Sequence, residues 1–231
     1  MSLYIPGSSS YAGYYSGSLG TALGHPLTIV CWAYRTDLTA TYRSLVHYGS
    51  DLAEAHSVAV RTSATAQAVA TANDGVLAQF VTTTDTAMES AWHHYAAVFP
   101  STSSRTPYLD GVAGTTDTTS LASFNTFDNL RIGRALDNTK GMLGYIGHVA
   151  VWKSALSSGQ IASLAAGANP QTIDSANLVA YYPMTNAADV GEEIINGYDL
   201  TLNGSAAYNS ENPTIDLYST YKPRLMLMGI G

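Results

Sequence analysis

Leu27-Thr28-Ile29-Val30-Cys31-Trp32-Ala33-Tyr34 reads as one buried β-strand, and that reading decides the class of the fold. Gly24-His25-Pro26 precedes it and the polar run Arg35–Thr41 follows. Turn chemistry therefore brackets eight residues rich in β-branched and aromatic side chains. Successive side chains of a strand point to opposite faces. Leu27, Ile29, Cys31 and Ala33 thus share one side, and Thr28, Val30, Trp32 and Tyr34 share the other.

Outward from this strand the same punctuation recurs. Further strands are predicted at Tyr42–Gly49, Ser57–Ser63, Val76–Thr82, Trp92–Phe99, Thr106–Leu109, Asn129–Gly133, Gly144–Trp152, Asn177–Met184 and Tyr198–Asn203. Asp110-Gly111 directly after Leu109 supplies the two positive-φ positions of a tight hairpin turn. Many short strands with frequent turns predict an all-β sandwich or jelly roll. One segment departs from the period. Ser157-Ser158-Gly159-Gln160 has the spacing of a capping box, and Leu156 and Ile161 stand where a hydrophobic staple lies. Gly167 suits a left-handed C′ position and Pro170 blocks continuation, so one short helix is predicted over about 157–166.

The chain has 231 residues and a formal net charge of −7, with Lys+Arg 10 against Asp+Glu 17. Charged residues make up only 12%, about half the usual ~25%. A nucleic-acid partner is excluded on this reading, because phosphate neutralisation requires clustered Lys and Arg. The lone cysteine, Cys31, rules out an internal disulfide and reads as an inert core thiol. No apolar stretch approaches the ~20 residues of a membrane-spanning helix. Met1–Gly7 lacks a basic region followed by an apolar run, so no secretory signal is expected there. No linker divides the chain, which is read as one domain over 1–208 and a C-terminal extension over 209–231.

Several strings in order resemble the laminin-G-type domains of the concanavalin A-like superfamily. They are Trp92-His93-His94-Tyr95-Ala96-Ala97-Val98-Phe99, Pro107-Tyr108-Leu109-Asp110-Gly111, Leu130-Arg131-Ile132-Gly133 and Gly144–Trp152 with Ala155-Leu156-Ser157. Leu178–Met184 and Asn196–Gly204 resemble the closing part of such modules. The resemblance implies a concanavalin A-like jelly-roll β-sandwich of two antiparallel sheets. It also implies a recognition or structural module, among relatives that include lectins, pentraxins and some glycan hydrolases.

Hydrolytic relatives of that fold carry carboxylates alternating along one strand. Here Glu54, Glu89, Glu192, Glu193 and Glu211 form no such alternation, and Glu192-Glu193 would face opposite ways in a strand. No catalytic residue is therefore assigned, and a non-enzyme is expected. A calcium-binding acid of related modules falls at Gly147, beside His148, and neither offers a carboxylate. Asp51, Asp74, Asp128 and Asp137 read as turn residues. No metal and no cofactor are expected. His93 and His94 adjoin in a strand, so one packs and one meets solvent, and Trp92 reads as core.

The candidate carbohydrate-binding residues are Trp32, Tyr34, His148 and Trp152, a sugar-stacking platform if the aliphatic side of the first strand is the inter-sheet core. The alternative is that these aromatics pack under a loop or against another subunit. The tail offers Tyr218, Tyr221, Leu225, Met226, Leu227, Met228 and Ile230 as a partner-docking arm, the alternative being that it tucks against its own domain. Together these features predict a non-catalytic bacteriophage capsid decoration or accessory virion protein, docked on capsid proteins as a homo-oligomer and made in the host cytoplasm. A carbohydrate-binding module or lectin, extracellular or at a cell surface, is the alternative, with surface glycans as its partners and no membrane contact.

Overall fold

Backbone pairing sorts the strands into two antiparallel sheets. The computed structural model describes residues 2–7, 9–15, 24–36, 42–50, 54–62, 66–87, 90–122, 129–135, 140–210 and 213. In chain order the strands are β1 (Ser2–Ile5), β2 (Tyr11–Tyr15), β3 (Leu27–Arg35), β4 (Tyr42–Gly49), β5 (Glu54–Thr62), β6 (Ala66–Asp74), β7 (Ala78–Thr82), β8 (Trp92–Ser101), β9 (Ser104–Leu109), β10 (Val112–Ala113), β11 (Asn129–Ile132), β12 (Gly144–Trp152), β13 (Leu178–Tyr182), β14 (Thr201–Asn203) and β15 (Ala207–Asn209). The first sheet runs β10-β9-β8-β3-β12-β1-β15, with β13 also on β12, and the second runs β14-β2-β11-β4-β5-β6-β7. The all-β class and the two antiparallel sheets agree with the sequence reading.

Alternation along β3 sets the layers. Leu27, Ile29, Cys31 and Ala33 are buried in the inter-sheet core with Leu45, Val46, Tyr48, Val58 and Val60 from the facing sheet. Cys31 lies fully inside this core, and burial pushes its thiol well above the ordinary range, as an inert thiol requires. The other side of β3 belongs to a second apolar cluster. There Val30, Ala96, Val98, Tyr108, Ala150 and Trp152 meet Leu156, Ile161 and Leu164 of the helix segment.

Helix α1 (Ser158–Ala165) is the one α-helix among the described residues, and its start follows the sequence closely. The Ser157 hydroxyl accepts from the Gln160 N–H, and the Gln160 side chain accepts from the Ser157 N–H at 2.8 Å. Leu156 and Ile161 are buried in one cluster, as a staple requires. The Asp110-Gly111 turn adopts positive φ at both residues, 50° and 85°, and packs on α1 near Ala162.

Strand β6 was not legible in the sequence. Its inward positions are Ala66, Ala68, Ala70 and Ala72, so the contrast between its faces is weak and its intrinsic strand preference low. β1, β2, β10 and β15 were also unpredicted, each five residues or shorter. β15 ends at Asn209, one residue into the segment read as the extension. The proposed docking residues Tyr218, Tyr221, Leu225, Met226, Leu227, Met228 and Ile230 lie outside the described residues, as do Asp51, Glu89, Asp128, Asp137 and Glu211. Asp74 is a turn residue: its carboxylate accepts from Val76, Leu77 and Ala122 N–H groups.

Glu193 organises the loop that borders β13. Its carboxylate accepts from five backbone N–H groups, those of Tyr181, Ile195, Asn196, Gly197 and Tyr198, at 2.6–3.4 Å. Bonds to an ionised acceptor are stronger than neutral ones, and buried donors left unpaired cost ~1–3 kcal/mol each. Glu193→Ala is expected to lower the unfolding free energy by about 3 kcal/mol in urea titration. A change within ~0.5 kcal/mol would show that the loop holds without it.

Candidate ligand-binding face

The outer face of the first sheet is zoned along its strands. At one end α1 covers it. Trp152 there is fully buried, and its indole N–H donates to the Ile173 carbonyl at 2.8 Å. Thr28, in register with Trp152, ties the covering segment down, donating to the Ser154 carbonyl and accepting from Leu156 N–H. Trp152 therefore shares the face predicted for it but has no ring surface left to offer a ligand.

The other end carries a row of four aromatic side chains. Tyr4, Tyr145, Tyr34 and Trp92 are direct cross-strand partners on β1, β12, β3 and β8. Ring centroids lie 5.2 Å apart for Tyr4–Tyr145, 5.6 Å for Tyr145–Tyr34 and 5.9 Å for Tyr34–Trp92. These spacings follow from the ~4.8 Å separation of neighbouring strands. Tyr34 meets both flanking rings edge to face, the arrangement that aromatic quadrupoles favour. All four residues are half-buried, unlike the sealed aromatics beneath α1. Trp92, expected in the core, stands instead on this outer row, because its parity on β8 is that of Ala96 and Val98 and not that of Tyr95 and Phe99.

A bulge in β12 creates the row. Gly147 pairs with Trp32 and Ala150 with Val30, so His148 and Val149 together oppose a single residue, Cys31. His148 takes φ 50° there, a left-handed conformation that His adopts more readily than most residues. The extra residue shifts the phase of the strand. Ala150 and Trp152 face outward after it, while Ile146 faces inward before it, which turns Tyr145 outward beside Tyr34. Gly144 permits the close approach that starts this stretch, because a Cβ at its positive φ would strike the Tyr34 carbonyl.

Between the two zones lies a small crevice. Trp32 and His94, register partners on β3 and β8, meet edge to face at 5.4 Å. His148 joins them, its Nδ1 2.9 Å from the Tyr181 hydroxyl. Burial lowers the pKa of His94 to about 4 and that of His148 to about 3, so both rings are neutral near pH 7. His93 points away from them, within 2.7 Å of the Asp110 carboxylate. The adjacent histidines thus take opposite faces, with His94 buried at the crevice and His93 partly exposed.

Of the four residues read as candidates, the structure places Tyr34 in the open row, Trp32 and His148 in the crevice and Trp152 in the covered zone. Tyr4 and Tyr145, not singled out in the sequence, and Trp92, read there as core, join Tyr34. Glu193 is taken up by backbone N–H groups, and Glu192 accepts from the Asn186 side chain. Among the described residues no three His, Cys, Asp or Glu side chains converge on a metal-sized centre.

Solved structures of the same architecture include a heptameric SAP-like pentraxin from Limulus polyphemus (12% identity, TM-score 0.54, covering 71% of this chain and 81% of that one). The CBM40 of the Ruminococcus gnavus IT-sialidase, bound to α2,3-sialyllactose, matches at 15% identity and TM-score 0.56, over 71% of this chain and 96% of that one. Domain 4 of a GH43 extracellular arabinanase from Geobacillus stearothermophilus, in complex with arabinotriose, matches at 15% identity and TM-score 0.50, over 63% and 69%. At such identities the likeness is one of fold. No curated protein sequence matches the chain. A laminin-G-type family does, over residues 6–162, well over half of the length. With that span running through both sheets from the first turn to the start of α1, the chain belongs to the concanavalin A-like lectin/glucanases superfamily.

Proposed function

We propose that the protein is a non-catalytic carbohydrate-binding module that holds glycans on the row Tyr4–Tyr145–Tyr34–Trp92. The observation that carries this reading is the row itself: four half-buried aromatics in direct register at the end of the sheet that α1 leaves uncovered. Aromatic rings present an electron-rich face to the polarised C–H bonds of a pyranose, and the Tyr hydroxyls provide polar contacts at the rim. Two of the solved neighbours were determined with oligosaccharides bound. The absence of an alternating carboxylate set supports binding without cleavage.

The reading as a phage head decoration rests on the charge-poor, disulfide-free composition and on the segment 209–231, most of which lies outside the described residues. The bound oligosaccharides of the neighbours favour the carbohydrate reading, which takes precedence.

A glycan array followed by calorimetry on the hits tests the proposal. Trp92→Ala and Tyr34→Ala are each expected to weaken binding by about tenfold or more, as for truncation of an interfacial anchor. Both variants should keep a cooperative unfolding transition. An array without hits, or hits insensitive to both substitutions, would sink the assignment.

A further inference from the structure

The crevice beside the row contains a polar side chain that the fold does not satisfy. His94 is 1% exposed, and neither of its ring nitrogens has a hydrogen-bond partner among the described residues. Buried imidazole nitrogens are ordinarily paired, so an orphaned ring that lines an opening calls for a partner, an ordered water or a ligand group. The rest of the lining is Val30, Trp32, Leu164, Ala168 and Pro170, with the His148 ring as a second polar wall. The space they leave takes one methyl- or water-sized group. Trp32, which forms another wall, sits two residues along β3 from Tyr34, a distance of about 7 Å. A sugar ring lying on the row is therefore within a substituent's reach of the opening.

The chemistry of the walls selects that substituent. A bare hydroxyl would pair with His94 but leave the apolar walls without contact, and a purely apolar group would leave His94 unpaired. A secondary amide ending in a methyl meets both demands. Its methyl fills the apolar end, and its carbonyl or N–H meets a neutral imidazole, which carries one donor and one acceptor nitrogen. The low pKa of His94 keeps that neutral form populated near pH 7. The hydroxyl of Tyr181 engages His148 Nδ1 and fixes the second ring of the crevice.

We propose that this crevice is an acetamido subsite. It admits the methyl of the 2-acetamido group of an N-acetylhexosamine stacked on the aromatic row, with the amide hydrogen-bonded to His94. The inference rests on the reading of the row as a glycan platform and adds a preference for N-acetylated sugars.

Tri-N-acetylchitotriose and cellotriose differ only in the group at C2, so their ratio of affinities isolates the subsite. Calorimetric titration of the wild-type chain is expected to favour the N-acetylated trisaccharide by about tenfold or more. His94→Phe, which removes the nitrogens, and Ala168→Leu, which narrows the opening from a half-exposed position, should each bring the ratio towards one. The second variant keeps the test decisive if the first fails to fold. Binding of both trisaccharides with a ratio near one, or a ratio unchanged in both variants, overturns the subsite and leaves the platform standing; the crevice then holds a water molecule only. Binding of neither trisaccharide, nor of N-acetylglucosamine, overturns the subsite, and the glycan array then decides the platform separately.

Discussion

Trp152→Ala is expected to lower the unfolding free energy by about 3–5 kcal/mol, read from urea titration. The side chain is fully buried between β12 and the segment that covers it, in contact with the cluster of Val30, Leu156, Ile161 and Leu164. Truncation removes the apolar contacts, leaves a void that a sheet-borne cluster cannot close and strips the Ile173 carbonyl of its donor. Trp152→Phe retains most of the volume and loses mainly the hydrogen bond, so its cost should be nearer 1–2 kcal/mol. A loss below ~1 kcal/mol for the alanine variant would mean that α1 is not anchored through this ring. The contrast with Trp92→Ala is the informative one: two tryptophans on one face of one sheet, the first expected to govern stability and the second, under the proposed function, binding.

Acidification from pH 7 to pH 5 is expected to cost about 4 kcal/mol of stability through His94 and His148 alone. Both rings are buried, with folded pKa values of about 4 and about 3 against an ordinary 6.5. The sign follows from proton binding. Between pH 6.5 and the folded values the unfolded chain takes up protons that the folded chain refuses. Stability is therefore complete above pH 6.5 and falls by ~1.4 kcal/mol per pH unit for each ring below it. His56 adds to the slope, because burial first and then the charges of His25, Arg105 and His47 hold its pKa well below 6.5. His25 adds to it as well, through burial and Arg105. Those two rings face each other with Nε2 atoms 3.0 Å apart, a contact that only one proton can bridge. Urea midpoints that are flat between pH 7 and pH 5 would refute the neutral, buried state of these histidines.

Much of this architecture is legible in the sequence, and the gaps have identifiable causes. Alternation along Leu27–Tyr34 separates the core side from the side bearing Trp32 and Tyr34, because a strand buried on both faces still obeys the two-residue period. The capping box at Ser157 and Gln160 locates α1, since it is a local device with its own spacing. Tyr145 escapes the same reasoning. Strict alternation back from Trp152 and Ala150 directs it inward, and only the bulge at His148 corrects the phase. Tyr4 escapes because β1 has four residues and acquires its orientation from pairing with β12. Trp92 escapes because both parities of Trp92–Phe99 contain large side chains, so the pattern cannot choose between them.

The zoning of the first sheet has a consequence for how such a module can change. Foundations and display occupy opposite ends of the same strands β3, β8 and β12, and the bulge at His148 separates the two along β12. Replacing Tyr4, Tyr34, Tyr145 or Trp92 alters what is displayed without disturbing the packing around Trp152. The outer row can thus be exchanged residue by residue while the foundation under α1 stays as it is.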